Sequence, residues 1–411
     1  MTHKHTRNTI RYFLIIVIFL TFLFFSNDFG LIDVQKTAIV VAAGIDRDGT
    51  DFIVTTQIAI PQAAEQGKST KAVQIVSRGK TVAEAFSDVN AKTGWYPKLV
   101  FCNLILLGEE TTKQNVFDAL DFFLLDEYLS DNCLIATCDG KAQELLDTNA
   151  VVEALSSAAI EKVLSRHAEQ VGSVYTSTLR TFAIGYHSDD ASGLLPIVKK
   201  QSQQPTTPEN SEKIGGGGQD NAQSGEAADT QPPQSSQSKT QNNPLFSASE
   251  TALFKHGKRV GTLTAEETFA ANALLNKLRL APYSITTQDA ACTLTFKQNA
   301  PKIQLQVAKN GMARLKIHLT VTAGLLDYSQ ALPESEIADV GDVPAGAFSV
   351  AQKKLTGEII QLFEKTRALD CDIFRVRDRA KKTGNPAFHR HESSLLSNTV
   401  AEVTVHFKNV R

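Results

Sequence analysis

The chain has 411 residues, long enough for two or three domains, with a formal net charge of −2 and a charged fraction of 21%. That balance leaves no electrostatic footprint for nucleic acid, which is excluded as a partner. The five cysteines, Cys102, Cys133, Cys138, Cys292 and Cys371, are odd in number and irregularly spaced, which excludes a disulfide framework; no Cys/His set has zinc-ligand spacing.

One apolar run is long enough to enter a bilayer. It comprises Tyr12, Phe13, Leu14, Ile15, Ile16, Val17, Ile18, Phe19 and Leu20, then Phe22, Leu23, Phe24 and Phe25 after Thr21. His3, Lys4, His5, Arg7 and Arg11 precede it with no acid among them. That is the charge pattern of a segment whose N-terminus stays in the cytoplasm while the chain beyond it is exported. The run is shorter than the ~20 residues of a full span, and its length suits a signal-peptide core. Against that, no small-x-small cleavage site lies between Ser26 and Lys36, and no Cys comes after the run that could carry a lipid. An uncleaved anchor over residues 1–30 is expected, with a cleaved signal as the other reading.

Thr37–Ile45 and Phe52–Ile60, both β-branched and apolar, predict a hairpin around an Asp/Gly turn at 46–51. That turn has only a faint likeness to a calcium loop, because the remaining ligand spacing is absent. Gln62–Lys71 reads as a loop and Val73–Ser77 as a strand. Thr81 is positioned to cap a helix over Val82–Lys92, with Val82, Ala85, Phe86 and Val89 inward. Trp95 is expected to wedge the end of this helix against the sheet. Leu99–Leu107 predicts a central strand covered on both faces. A helix through Leu125 comes next, with Phe117, Leu120 and Leu124 on one face. Asn132–Cys138 predicts a strand; Cys102 and Cys133 read as small buried hydrophobes inside their strands, with pairing of Cys133 and Cys138 as the other possibility. Lys141–Leu146, Val151–Gln170 and Thr176–Ile184 predict helices, and Leu194–Ile197 ends this segment.

From Gln201 to Pro244 the composition is almost devoid of apolar residues, which predicts a disordered linker over 201–245. Gly215–Gly218 in it lack the strand, the Gly-Lys-Ser/Thr and the helix of a phosphate loop. Beyond it, Ser249–Lys255 and Arg259–Leu263 predict a hairpin. Thr264 with Glu267 makes a capping box for a helix to about Leu280. Strands are expected at Ala291–Lys297, Lys302–Lys309 and Ala313–Ala323, with a turn at Asn310-Gly311. A long helix over Phe348–Leu369 and a last strand at Val400–Phe407 complete a pattern of antiparallel hairpins. The expected fold class is mixed α/β and α+β: a mixed α/β domain at 31–200 and an α+β domain at 246–411, either of which could subdivide into a third.

No constellation of reactive groups stands out. His389 and His391 lack a third metal ligand nearby. Glu109, Glu110, Asp121 and Asp126 read as the solvated face of a helix. Ser156 and Ser157 lack a nucleophile-elbow context. Arg375, Arg377, Arg379, Lys381 and Lys382 form a basic run that reads as a solvated face, with lipid headgroups or an acidic partner as the alternative. No catalytic residue, metal site or cofactor loop is assigned.

Several stretches resemble one family. The hairpin Ala38–Ile58, with Gly44 and Asp46, the helix start Ser77–Phe86 and the stretch Leu99–Glu110 resemble the C subunits of spore-germination receptors, the Ger(x)C lipoprotein family. In the second half, Ala252-Leu-Phe254-Lys255, Gly261-Thr-Leu263, Glu267-Thr268, Asp370-Cys-Asp372-Ile373-Phe374 and the closing Val403-Thr-Val405 look like its blocks in order. Two departures are evident: no lipobox Cys lies beyond the apolar run, and Arg375-Val-Arg-Asp stands where the family is usually Gly-rich. The resemblance implies a non-enzymatic, cofactor-free subunit of a nutrient germinant receptor, on the outer face of the spore inner membrane, acting with multi-pass A- and B-type subunits. The other readings are an envelope protein of the sporulating cell outside any receptor, and an exported small-ligand-binding protein or hydrolase.

Overall fold

The computed structural model describes residues 12–21, 37–60, 71–148, 153, 155–165, 168–201, 245–286, 291–308, 310–329, 343–344, 346–382 and 394–410. The predicted loop Gln62–Lys71 (except for Lys71, which begins a strand), most of the polar tract with Gly215–Gly218, and His389 and His391 lie outside these residues. Residues 12–21 are helical (α1), and their apolar side chains are exposed. At 1.5 Å per residue α1 reaches about 15 Å, half of the ~30 Å hydrocarbon core. No helix among the described residues is long and apolar enough to cross a membrane. Phe22–Phe25, the rest of the expected anchor, lie outside the described residues, so α1 alone does not make the predicted span.

β1 (Thr37–Asp48) and β2 (Asp51–Ile60) form the predicted hairpin but run further than expected. Asp48 pairs with Asp51 across Gly49-Thr50, with Gly49 at φ 62°. Asp46, expected in the turn, therefore sits inside a strand. β3 (Lys71–Gly79) extends the sheet beyond β2. α2 (Val82–Thr93) starts where the Thr81 hydroxyl accepts from Glu84 N and stops at Gly94. β4 (Tyr96–Lys98) runs parallel to the start of β1.

β5 (Leu104–Leu107) is buried at every position but is shorter than predicted. Cys102 N donates to Leu99 O at 2.8 Å, so residues 99–102 make a turn that leaves Val100 and Phe101 in solvent. Trp95 is exposed instead of wedged against the sheet. The helix expected through Leu125 is two: α3 (Glu109–Thr112) and α4 (Phe117–Leu125), with Phe123 inward and Leu124 outward. β6 (Leu134–Cys138) and α5 (Ala142–Leu146) form as predicted. The helix expected over Val151–Gln170 divides into α6 (Ser156–Leu164) and α7 (Ala168–Val171), because Ser165 takes an extended backbone. α8 (Leu179–Tyr186), capped by the Thr178 hydroxyl, leads to β7 (Ser192–Gln201).

The sheet continues on the far side of the polar tract. β8 (Leu245–Lys255) pairs antiparallel with β7, and β9 (Lys258–Leu263) with β8. The result is a nine-stranded sheet in the order β3-β2-β1-β5-β6-β7-β8-β9, with β4 beside β1. Its centre, β1-β5-β6-β7, is parallel. Helices cover both faces, as a parallel sheet requires. Ile105 and Leu107 pack with residues of α2, α4 and α8, while Leu104 and Leu106 pack with α5 and α6. This alternation is the period of two along a strand.

α9 (Ala265–Leu274) carries the predicted capping box between Thr264 and Glu267. It ends before Leu280 because the chain turns into β10 (Ala281–Thr286), a strand with no sequence expectation. β11 (Ala291–Val307) and β12 (Ala313–Tyr328) form the long hairpin at Asn310-Gly311. α10 (Ala347–Ala368) buries Leu355, Ile359, Leu362 and Phe363 against this second sheet. α11 (Val376–Lys382) comes next, and β13 (Thr399–Asn409) closes the order β10-β11-β12-β13. β13 is parallel to β12, where only antiparallel hairpins were expected.

Candidate functional site

Two of the family-like sequence blocks, Ala252–Lys255 and Asp370–Phe374, meet where β7 and β8 abut the end of α10 and the start of α11. Ser192 opens β7 and pairs in register with Lys255 at the end of β8. That pairing brings the Lys255 ammonium to 2.7 Å from the carboxylate of Asp190, which is buried. Asp370 lies just past α10 at φ 51°, 3.6 Å from Lys255 and 2.6 Å from the Arg377 guanidinium. Arg377 also pairs with Asp190, and the Ser192 hydroxyl donates to the same carboxylate. Asp372 N donates to Asp190 at 2.9 Å, while the Asp372 carboxylate accepts from Val376 N at 2.8 Å and Arg377 N at 2.9 Å. Cys371 between them donates its thiol to Phe254 O.

Lys255, Arg377 and the Ser192 hydroxyl thus satisfy the buried Asp190 carboxylate out of water, while Asp370 pairs with both cations from the solvent side. A half-paired buried charge costs far more than a closed set. Burial raises the Asp372 carboxyl, and the two backbone amides offset part of that rise. Burial likewise pushes the Cys371 thiol up to about 11, so it is not a thiolate at neutral pH.

The remaining block positions support the same junction. Phe254 is buried, edge-on to Phe182 at 5.2 Å. A Cβ on Gly261 would stand 2.6 Å from Leu369 Cδ1, so a glycine there lets the end of α10 approach β9. Leu263 is buried. Glu267 accepts from Thr264 N at 2.8 Å and from Lys365 at 2.6 Å, joining α9 to α10. The hydroxyls of Thr268 and Thr251 meet at 3.0 Å. Ile373 is partly buried against the core, and Phe374 packs edge-on to Phe363 at 5.4 Å.

Gly44 and Asp46 stand elsewhere. The Asp46 carboxylate accepts from Ala142 N at 2.8 Å and Gln143 N at 3.0 Å, capping α5, and its burial raises its pKa. A Cβ on Gly44 would lie 2.9 Å from Leu146 Cδ1, so Gly44 lets α5 lie against β1.

The basic run is not one face. Arg377 is inside the network, and Arg379 donates to Ile303 O and Phe374 O. Lys381 pairs with Asp189 at 2.7 Å, while Arg375 and Lys382 are exposed. Arg375 holds φ 56°, a left-handed conformation that strains any residue with a Cβ and suits the glycine expected of the family here. Arg375→Gly is expected to raise stability by about 0.5–1 kcal/mol, the strain relieved less glycine's extra unfolded-state entropy; thermal unfolding of the two chains measures it.

The other candidate groups are accounted for by packing. Glu109 and Glu110 pair with Lys113 in solvent, and Asp126 accepts from Tyr128 N and Leu129 N. The Ser156 hydroxyl donates to Leu146 O. All five cysteines are buried free thiols. Cys133 meets Cys102 and not Cys138, since Cys133 and Cys138 pack in the cores on opposite faces of the sheet. No group of three His, Cys, Asp or Glu side chains among the described residues could hold a metal. Beside the network lies a cleft of about 100 Å³, lined in part by Tyr175, Phe182, Ser188 and Arg375. Ligand sites commonly enclose about 300–1,000 Å³, so this one suits waters and small ions better than a metabolite.

Sequence reasoning missed Asp190 and Ser192, the hub of the network. Their only local mark is a polar Asp-Asp-Ala-Ser stretch before a strand, which many loops share.

Residues 31–200 match the family described as spore germination protein N-terminal domain, and residues 249–411 match spore germination B3/GerAC-like, C-terminal. Together the two matches cover most of the chain. Among solved structures, the crystal structure of the GerBC protein is similar at 17% identity and a TM-score of 0.50, over 90% of this chain and 97% of that one. At that identity the likeness concerns the fold. No curated protein matches the chain in sequence.

Proposed function

The chain belongs to the Ger(x)C family of spore germination proteins, and from that premise we propose that it is a non-enzymatic subunit of a nutrient germinant receptor. It is held to the spore inner membrane by its apolar N-terminal segment, with the folded body on the outer face. Its partners are the multi-pass A- and B-type receptor subunits, and its role is to dock and couple them. The observation that carries this reading is the junction itself. Two family blocks of the second half, Ala252–Lys255 and Asp370–Phe374, converge on a network whose charges are spent on one another, which is the design of a rigid scaffold and not of a reactive centre. The basic segment before Tyr12 supports the orientation.

The missing lipobox cysteine favours a second reading, an envelope protein outside any receptor, because lipid attachment is unavailable and the tether differs from the family's. An affinity pull-down of the tagged chain from detergent-solubilised spore membranes, read by mass spectrometry, separates the two. Co-purification of two multi-pass subunits is expected. Recovery of the chain with envelope proteins only would remove the receptor role.

A further inference from the structure

β1, β5 and β6 are parallel, so all three start at the same end of the large sheet. The loops that lead into β5 and β6 come to that end, where β1 also begins at Thr37. The first residue of β1, Thr37, pairs with Tyr96. Around this point the fold exposes large apolar side chains on structured segments: Trp95 at 40%, Phe101 at 56%, Tyr128 at 54% and Leu125 at 84%, with Tyr96 and Val100 also exposed. Scattered exposed apolar residues need no explanation, but a cluster of this size at one end marks an interaction surface.

We propose that this end of the sheet rests in the headgroup layer of the bilayer beside the point where the N-terminal segment leaves it. The inference rests on the proposed tethering and adds which surface meets the lipid. Three observations carry it. First, the pairing of Thr37 with Tyr96 puts the patch at the end of the sheet where β1 begins, so a tether on the N-terminal segment, which joins the fold through Thr37, acts on this end of the sheet. Second, the chemistry is that of an interfacial anchor. Trp and Tyr place an apolar ring and a polar tip at the headgroup level, while Phe101 and Leu125 supply wholly apolar insertion. Lys98 lies 5.4 Å from the Tyr96 ring centroid and 4.5 Å from that of Tyr128, a cation seated among the rings where phosphates would be.

Third, nearby acids are engaged within the protein. Asp126 accepts two backbone amides, Asp131 pairs with Arg180, and Glu127 hydrogen-bonds with Tyr128. The patch is also preformed, since the Cys102–Leu99 hydrogen bond fixes the turn that projects Val100 and Phe101. Insertion therefore orders little that is not ordered already.

Trp95 is the sole tryptophan of the chain and reports on the patch directly. The full-length chain would be reconstituted in mixed phosphatidylcholine and phosphatidylglycerol vesicles, with and without bromine on the acyl chains, and floated on a density gradient. The expected result is co-flotation, a blue-shifted Trp95 emission that is lost with brominated lipid, and protection from aqueous iodide. Phe101→Ser combined with Leu125→Ser, both exposed and outside the core, should keep flotation but restore iodide access and remove the bromine quenching. Co-flotation with Trp95 unquenched and open to iodide would overturn the lipid contact, leave the tether standing and assign the patch to a protein. Failure to float would overturn the tether and this inference together.

Discussion

Asp190→Ala is expected to lower folding stability by about 3–5 kcal/mol, the cost of leaving a buried ion pair half made. The carboxylate is 5% exposed and is shared by Lys255, Arg377, the Ser192 hydroxyl and Asp372 N. Removing it strands two cations beside one remaining acceptor, Asp370, which is itself largely in solvent. Urea unfolding should show a lower midpoint with an unchanged slope. Added salt should recover little of the loss, since screening acts weakly on buried charge. Lys255→Met in the same background should cost less than it does alone, with a coupling of about 1–3 kcal/mol. A loss under about 1 kcal/mol for Asp190→Ala would place the pair among the weak surface bridges and sink the network as the element that joins the two halves.

Gly108→Ala is the second large effect, about 2–4 kcal/mol, and it arises without backbone strain, because Gly108 has an ordinary φ of −68°. The added Cβ would stand 1.9 Å from Asp46 Oδ1. That oxygen is held at 2.8 Å by Ala142 N, so it cannot retreat without uncapping α5 inside the protein. The double substitution Asp46→Ser with Gly108→Ala should then lose less than the sum of the two singles, because the shorter side chain vacates the space. Strict additivity in denaturant unfolding would show that the clash is not with Asp46.

Much of the fold was legible where short-range rules decide it. The hairpin at the start of the large sheet, the Thr81 and Thr264 caps and the inward stripe of α10 follow from turn chemistry and periodicity within a few residues. The apolar stretch ending at Leu107 announced a strand covered on both faces, though not where that strand begins. Cys102, Val100 and Phe101 are as apolar as the strand, and only the Cys102–Leu99 hydrogen bond separates turn from strand. Trp95 was misplaced for a related reason: hydrophobicity predicts burial on average, and an aromatic residue held at a surface violates that average locally.

The candidate site was half legible. Lys255, Asp370 and Asp372 were singled out by resemblance, but what they do was not. Lys255 reaches Asp190 across 65 positions of sequence, and Asp372 reaches it across 182. No local pattern encodes such meetings. They exist because β8 returns to pair with β7 after the polar tract, a choice made by sheet edges seeking partners and not by β8's own composition.

The composition and order of the residues alone decided the alternation of strands and helices, the apolar N-terminal segment, the absence of a motif for nucleotide or metal, and the family. Which strands share a sheet, which charges close on one another and which aromatic residues face outward depended on tertiary structure. Local propensity acts through hydrogen bonds and side-chain contacts a few residues apart, whereas pairing register and burial are settled by surfaces that become neighbours only when the whole chain folds.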